Sequence, residues 1–302
     1  MNTDRLKTEI CQVEFKNPVI AASGTYGYGR EYERYYNPDI LGGISSKGLT
    51  LHPKDGNSGI RIWETPSGII NSIGLENPGV REFCENQIDD MLNINTNIFV
   101  NLGGNSLEEY VEGAKILNDF DFFAIELNIS CPNVKHGGMA FGMEPESAAM
   151  VVREVKKVSN KRLFVKLSPN AKDIVAVAKA VEEAGADGIS LINTILAMAI
   201  DVNTMTKVFD NTYAGLSGPA VKPIALRMTH QVCSNVSIPV IGMGGITSGK
   251  DVAEFILAGA SAVQIGTANF MDLLSAPKII SEFSNYLKEK DKNVDDIKGL
   301  LL

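Results

Sequence analysis

Eight short runs rich in apolar and β-branched residues recur along this chain, and most are followed by a segment with helical periodicity. Strands are expected over residues 18–22, 43–46, 98–102, 122–127, 163–167, 188–192, 239–242 and 262–265. Helices are expected between them, over 30–36, 79–93, 106–118, 144–158, 171–184, 220–233 and 248–258. The strands are nearly all apolar, as parallel strands buried on both faces must be. A length of 302 residues allows two domains at roughly 150 residues each, or one α/β barrel of about 250 with elaborations. Eight strands alternating with helices favour the second: one (β/α)8 barrel over residues 1–302 with long top-face loops. Ala184-Gly185-Ala186-Asp187-Gly188 and Ala258-Gly259-Ala260-Ser261-Ala262 each put a glycine where a helix must stop and turn into the next strand.

Composition removes other classes. The charge sum, 28 Lys+Arg against 36 Asp+Glu, gives −8 and argues against nucleic acid as the main partner. The first ten residues contain no apolar signal core, and no run approaches the ~20 apolar residues of a membrane span, so a cytoplasmic protein is expected. Cys11, Cys84, Cys131 and Cys233 form no C-x-x-C pair. With three histidines, His52, His136 and His230, they offer no pattern for zinc or an iron–sulfur cluster, so any redox centre of this chain is a bound organic cofactor.

Residues 48–78, 129–144 and 193–219 are too long for simple connections, and each follows a strand, which puts them over the top of a barrel. The strands exit into Ser23-Gly24, Lys47-Gly48, Asn101, Asn128, Lys166, Asn193-Thr194, Gly244-Gly245 and Gly266-Thr267. Any one of these could be an ordinary turn residue. Together they converge amides, two lysines and paired glycines on one cavity, as a large polar cofactor requires. The glycines ending strands seven and eight let backbone N–H groups approach a phosphate. Gly24-Thr25-Tyr26-Gly27-Tyr28-Gly29 does not fit the dinucleotide fingerprint, and no Walker motif, nucleophile elbow or H-E-x-x-H is present.

Cys11, Cys84 and Cys233 read as buried hydrophobes. Cys131 opens a polar, glycine-rich loop above the proposed cavity, where a thiol is either a base or nucleophile or another inert side chain. Lys47 and Lys166 stand at strand ends, either as a Schiff-base lysine of a lyase or as fixed cations facing an anionic ring and a carboxylate. Asn71, Asn128 and Asn193 add neutral donor and acceptor pairs suited to imide edges.

The stretches Phe15-Lys16-Asn17-Pro18, Ala22-Ser23-Gly24-Thr25, Ser46-Lys47-Gly48, Asn71-Ser72-Ile73-Gly74-Leu75, Asn128-Ile129-Ser130-Cys131-Pro132-Asn133, Gly215-Leu216-Ser217-Gly218-Pro219 and Gly242-Met243-Gly244-Gly245-Ile246 carry a further signal. In these and in residues 259–270 the chain resembles the class 1 dihydroorotate dehydrogenases, most closely the catalytic subunit of the NAD-linked class 1B branch. The resemblance runs from about residue 15 to about residue 275. It implies an FMN-containing (β/α)8 barrel that oxidises (S)-dihydroorotate to orotate in pyrimidine biosynthesis. It implies Cys131 as the base at C5, with hydride leaving C6 for the flavin. Lys47, Asn71, Ser72, Ile73, Gly74, Leu75, Asn128, Asn193 and Thr194 would hold the substrate. Ser23, Lys47, Gly48, Asn101, Asn128, Lys166, Ile192, Gly218, Gly244, Gly245, Gly266 and Thr267 would hold FMN.

A cysteine base and the lack of an N-terminal membrane-associating extension fit class 1. The class 1B resemblance further implies a partner subunit carrying FAD and a 2Fe–2S cluster, on a homodimer core of a heterotetramer. The alternatives are a class 1A enzyme that reduces fumarate and, on the same barrel, a Schiff-base lyase. The sequence departs from the family at Asn57-Ser58-Gly59-Ile60-Arg61, at Ala214 before Gly215 and at Thr206-Lys207-Val208, which bears on loop rigidity and partner geometry.

Overall fold

Side chains alternate across a strand, so each strand of a closed sheet sends every second residue inward and the others toward the surrounding helices. The computed structural model describes residues 3–130 and 141–302. Its strands Val19–Ala21 (β1), Gly43–Ser45 (β2), Asn97–Leu102 (β3), Ala124–Asn128 (β4), Arg162–Lys166 (β5), Gly188–Leu191 (β6), Val240–Met243 (β7) and Ala262–Ile265 (β8) close a barrel. Each pairs in parallel with its neighbours in sequence, and β8 pairs with β1. The chain is a (β/α)8 barrel, and all eight expected strands are present with ends shifted by a residue or two.

The inward positions stack in layers drawn alternately from even and odd strands. Lowest are Gly43, Ala124, Gly188 and Ala262 on the even strands, small enough to admit the large residues above them. Ile20, Phe99, Phe164 and Ile241 on the odd strands fill that next layer, every one fully buried. A Cβ on Gly188 would stand 2.2 Å from the Phe164 ring, so the ring depends on the glycine. A hairpin of Thr8–Ile10 and Val13–Phe15 seals the floor, with Phe15 edge-on to Phe123 at 5.0 Å and Phe99 edge-on to Phe164 at 5.4 Å. Cys11 and Gln12 make its two-residue turn, both at positive φ, as a type I′ turn demands. The third layer, from the even strands again, is polar: Ser45, Glu126, Ser190 and Gln264.

Outward residues such as Ile44, Val100, Ile125, Leu163 and Val263 form a second core with the helices, which include Leu107–Leu117, Pro145–Val158, Ile174–Glu183, Lys222–Cys233 and Gly249–Leu257. Residues 30–36 do not make an α-helix. A 3-10 turn, Arg30–Tyr32, is followed by another at Pro38–Ile40, because Pro38 disfavours helical backbone at Asn37, whose side chain then caps the second turn. The segment expected as one helix over 79–93 divides into Val80–Asn86 and Ile88–Leu92 at Gln87, which leaves the helical region. A helix beyond the expected set, Ser275–Lys290, adds Ile279, Ile280, Phe283 and Leu287 to the outer core. Among the described residues no helix is long and apolar enough to cross a membrane.

Two of the long top-face segments are not simple loops. Ile62–Thr65, Gly68–Asn71, Ala214–Ser217 and Ile195–Ala197 pair into a four-stranded antiparallel sheet over the barrel mouth. Ile70, Phe209 and Ala214 give this cap its own small core.

Phe164→Ala is expected to cost about 3–5 kcal/mol of stability by leaving a cavity, and Gly188→Ala about 1–3 kcal/mol by overpacking. Because the two act on one space, urea unfolding of the double variant should show less than the sum. Strict additivity would contradict this account of the layer.

Candidate active site

Above the polar layer the odd strands supply Ala22, Asn101, Lys166 and Met243, and the even strands then supply Lys47, Asn128, Ile192 and Gly266. Between these side chains and the cap lies a cavity of about 750 Å³. Ser23, Lys47, Gly48, Asn128, Lys166, Ile192, Asn193, Thr194, Gly218, Gly244, Gly245, Gly266 and Thr267 line it from the barrel side, and Asn71, Ser72, Ile73, Gly74 and Leu75 from the cap. The strand-end residues therefore converge where expected, apart from Asn101 and one residue that is not described. Asn101 is not at the cavity wall, because its fully buried side chain is turned toward Glu126 and covered by its bond with Asn128. Cys131, together with Pro132 and Asn133, lies outside the described residues.

Glu126 organises the space beneath the cavity. Its carboxylate is fully buried and accepts bonds from Ser45 Oγ (2.7 Å), Asn101 Nδ2 (2.7 Å), Ser190 Oγ (2.8 Å) and Gln264 Nε2 (2.7 Å). Burial alone would raise its pKa, but the positive charge of Lys166 and the bonds from Ser45, Asn101 and Ser190 outweigh burial and hold it below the usual carboxylate range. Glu126 is therefore an anion, and an anion can only accept.

That fixes a directed chain. Asn101 spends its amide N–H on Glu126, so its Oδ1 accepts from Asn128 Nδ2 at 3.4 Å. Asn128 Oδ1 accepts from Ser130 Oγ at 2.6 Å, and Ser130 Oγ accepts from Asn193 Nδ2 at 2.6 Å. Asn193 Oδ1 then receives the Thr194 backbone N–H at 2.8 Å. Gln264 is fixed the same way, with its buried Oε1 left without a partner among the described residues. An orphaned acceptor on a cavity wall suits a ligand that brings an N–H or O–H.

Lys166 is only 5% exposed, yet its ammonium has no hydrogen-bond partner among the described residues, nor does that of Lys47. Burial lowers the Lys47 pKa and Arg61 adds to that effect, while Glu76 opposes it. Two cations at one cavity wall, with donors unused by the described residues, suit an anion. At the other side the turn after β7 places Gly244 at φ 128° and Gly245 at φ 73°. A Cβ on Gly245 would lie 2.8 Å from both the Gly218 carbonyl oxygen and the Lys222 nitrogen, so only glycine fits. The helix Gly249–Leu257 does not aim free N–H groups here, since its N-terminus is closed by Ser248, Asp251 and Glu282. The glycine backbone itself is the cradle, with Thr267 Oγ1 bonded to Ser217 Oγ at 2.9 Å beside it.

From the cap, Asn71 donates to the Gly215 carbonyl at 3.3 Å, and Asn57 holds Ser72 through its carbonyl and hydroxyl oxygens at 3.1 and 3.0 Å. These bonds set the 71–75 backbone against the cavity. The departure at 57–61 is therefore structural: Asn57 grips the cap strand, and Ser58 donates to Asp210 at 2.6 Å.

Glu126, Ser45, Ser190 and Gln264 escaped the sequence reading because it treats each strand as an apolar run. The available signal was one polar residue inside each even strand, all at one level of the barrel.

A family model described as dihydroorotate dehydrogenase matches residues 5–287. The chain is 51% identical over 296 residues to the "Dihydroorotate dehydrogenase B (NAD(+)), catalytic subunit" of Petrotoga mobilis, covering 98% of this chain and 99% of that protein. Proteins of the same description from Bacteroides thetaiotaomicron (50% over 298 residues, 98% of each chain) and Alkaliphilus metalliredigens (49% over 302 residues, 100% of each) are similar throughout.

Burial pushes the Cys84 thiol up to about 11, with Asp119 and Glu85 adding to it, and the Cys233 thiol up to about 12, opposed by Lys298. Raised values leave little thiolate at pH 8, so iodoacetamide should label both residues ~10²-fold more slowly than a free cysteine near pKa 8.5. Peptide mapping by mass spectrometry measures this, and fast labelling of either would refute the inert assignment.

Proposed function

The chain belongs to the dihydroorotate dehydrogenase family, and from that premise we propose that it is the catalytic subunit of an NAD-linked class 1B enzyme. It oxidises (S)-dihydroorotate to orotate in pyrimidine biosynthesis, with FMN as cofactor. The observation that carries this reading is the pairing of a glycine cradle with two lysines that have no hydrogen-bond partner among the described residues, around one deep cavity. Full-length identity near 50% to NAD-linked catalytic subunits supports it.

The residues suit FMN. Gly218, Gly244, Gly245, Gly266 and Thr267 offer backbone and hydroxyl donors to a phosphate, at positions where a side chain at Gly218 or Gly245 would fill the space. Lys166, Asn128, Ser23, Gly48, Ile192 and the orphaned Gln264 acceptor would meet the ring system, with Asn101 acting from beneath through Asn128. Bound FMN supplies the acceptor for the hydride that leaves C6.

The chain's own residues do the rest. Lys47 faces the substrate carboxylate, a charge match made strong by the shielded wall. Asn71 with the backbone through Leu75, together with Asn128, Asn193 and Thr194, reads the imide edges by alternating donors and acceptors. The cap sheet excludes water from the reacting face. Cys131 removes the C5 proton. Dihydroorotate thus loses one proton and one hydride, and the electron pair passes on to NAD⁺ through a partner subunit carrying FAD and a 2Fe–2S cluster. The assembly we infer is a heterotetramer on a homodimer of this chain, in the cytoplasm.

Purified protein should be yellow and should bleach anaerobically with dihydroorotate. Reoxidation should require NAD⁺ with the partner subunit; turnover by this chain alone with fumarate would instead indicate the class 1A reading. Cys131→Ala should slow flavin reduction by about 10²-fold or more at unchanged FMN content, in line with loss of a general base. Unaltered kinetics would remove Cys131 from that role, and protein that neither retains nor takes up FMN defeats the proposal as a whole.

A further inference from the structure

No proposed ligand contact involves Glu126, yet the polar groups of the cavity floor trace back to it. It is the centre of the third barrel layer, where Ser45, Ser190 and Gln264 all donate to it. Through Asn101 it dictates which atom of Asn128, and then of Asn193, is donor and which is acceptor. The positive charge of Lys166 attracts it as well and helps keep it ionised. A barrel layer can be filled by apolar side chains at no electrostatic cost, so a buried anion ringed by donors is an expensive way to fill space. The cost has a counterpart one layer up, where a buried cation stands at the cavity wall.

We propose that Glu126 is the positioning residue of this site, fixing the direction of the amide chain and offsetting Lys166, so that it sets the reduction potential of the bound flavin. The inference rests on the FMN reading above. Reduction adds negative charge to the flavin. In a shielded cavity the Lys166 charge favours that addition and the Glu126 charge opposes it, with little solvent to damp either. Removing the carboxylate charge while keeping its shape must then make the flavin easier to reduce. A residue that merely filled the barrel would not have this effect.

The test compares flavin-loaded wild type, Glu126→Gln and Glu126→Asp by anaerobic reductive titration against a redox dye. Glu126→Gln should raise the ratio of reduced to oxidised flavin at fixed potential tenfold or more, about 30 mV upward for a two-electron couple. Glu126→Asp keeps the charge and should stay within threefold of wild type even if it is less stable. A flavin-loaded Glu126→Gln within threefold of wild type overturns this inference alone, and a wild type that takes up no FMN overturns the functional reading with it. If Glu126→Gln does not fold, infrared difference spectra of wild type labelled with 13C-glutamate decide the matter, with Glu126→Asp assigning the band. A buried carboxylate band that shifts on flavin reduction is expected, and its absence overturns the proposal.

Discussion

A single ionised carboxylate in the middle of a closed barrel imposes order on everything above it. Taking such a group out of water costs several kcal/mol unless its lone pairs are met. Here four side chains from four different strands meet them, and those strands are thereby held to one register. Below this level the barrel is packed by aromatic and branched residues; above it, by amides, lysines and glycines. Glu126 marks the boundary between the part of the interior that stabilises the fold and the part that binds.

The interior also explains why the cap is needed. The barrel strands supply a floor and one wall, but Asn71 through Leu75 come from outside the barrel and reach the cavity only because Gly68–Asn71 pairs with Ala214–Ser217. Thr194 is held on the same side, packed so closely that a Cβ on Gly215 would stand 2.1 Å from its Oγ1. Asn71 ends one of the paired strands and Thr194 immediately precedes another, so both cavity-lining groups are anchored by the sheet more tightly than free loops would anchor them.

Much of this was legible in the sequence, for a physical reason. Parallel barrel strands are apolar runs ending in polar or glycine residues, so both the strands and the cavity rim can be read from composition alone. Lys47, Asn128, Lys166 and Gly244-Gly245 were found this way. Asn101 ends its strand in the same pattern, but its amide is turned to Glu126 and Asn128 and away from the cavity, and side-chain pairing of that kind does not show in a linear sequence. The cap strands, three or four residues long and partly exposed, carry too little pattern to announce themselves. Glu126 and Gln264 were hidden by being lone polar residues in apolar surroundings. Cys131, on which the chemistry is proposed to turn, rests on its motif, since it falls outside the described residues.

The aromatic floor has one more implication. Ile10, Phe15, Phe99, Phe123 and Phe164 close the lower end of the barrel with almost no accessible surface, so the interior is a blind well. Any ligand of this cavity must enter and leave on the side that faces the cap. Traffic through such a well is a queue: whatever is seated deepest arrives first and departs last, and each turnover must clear the doorway before the next can begin.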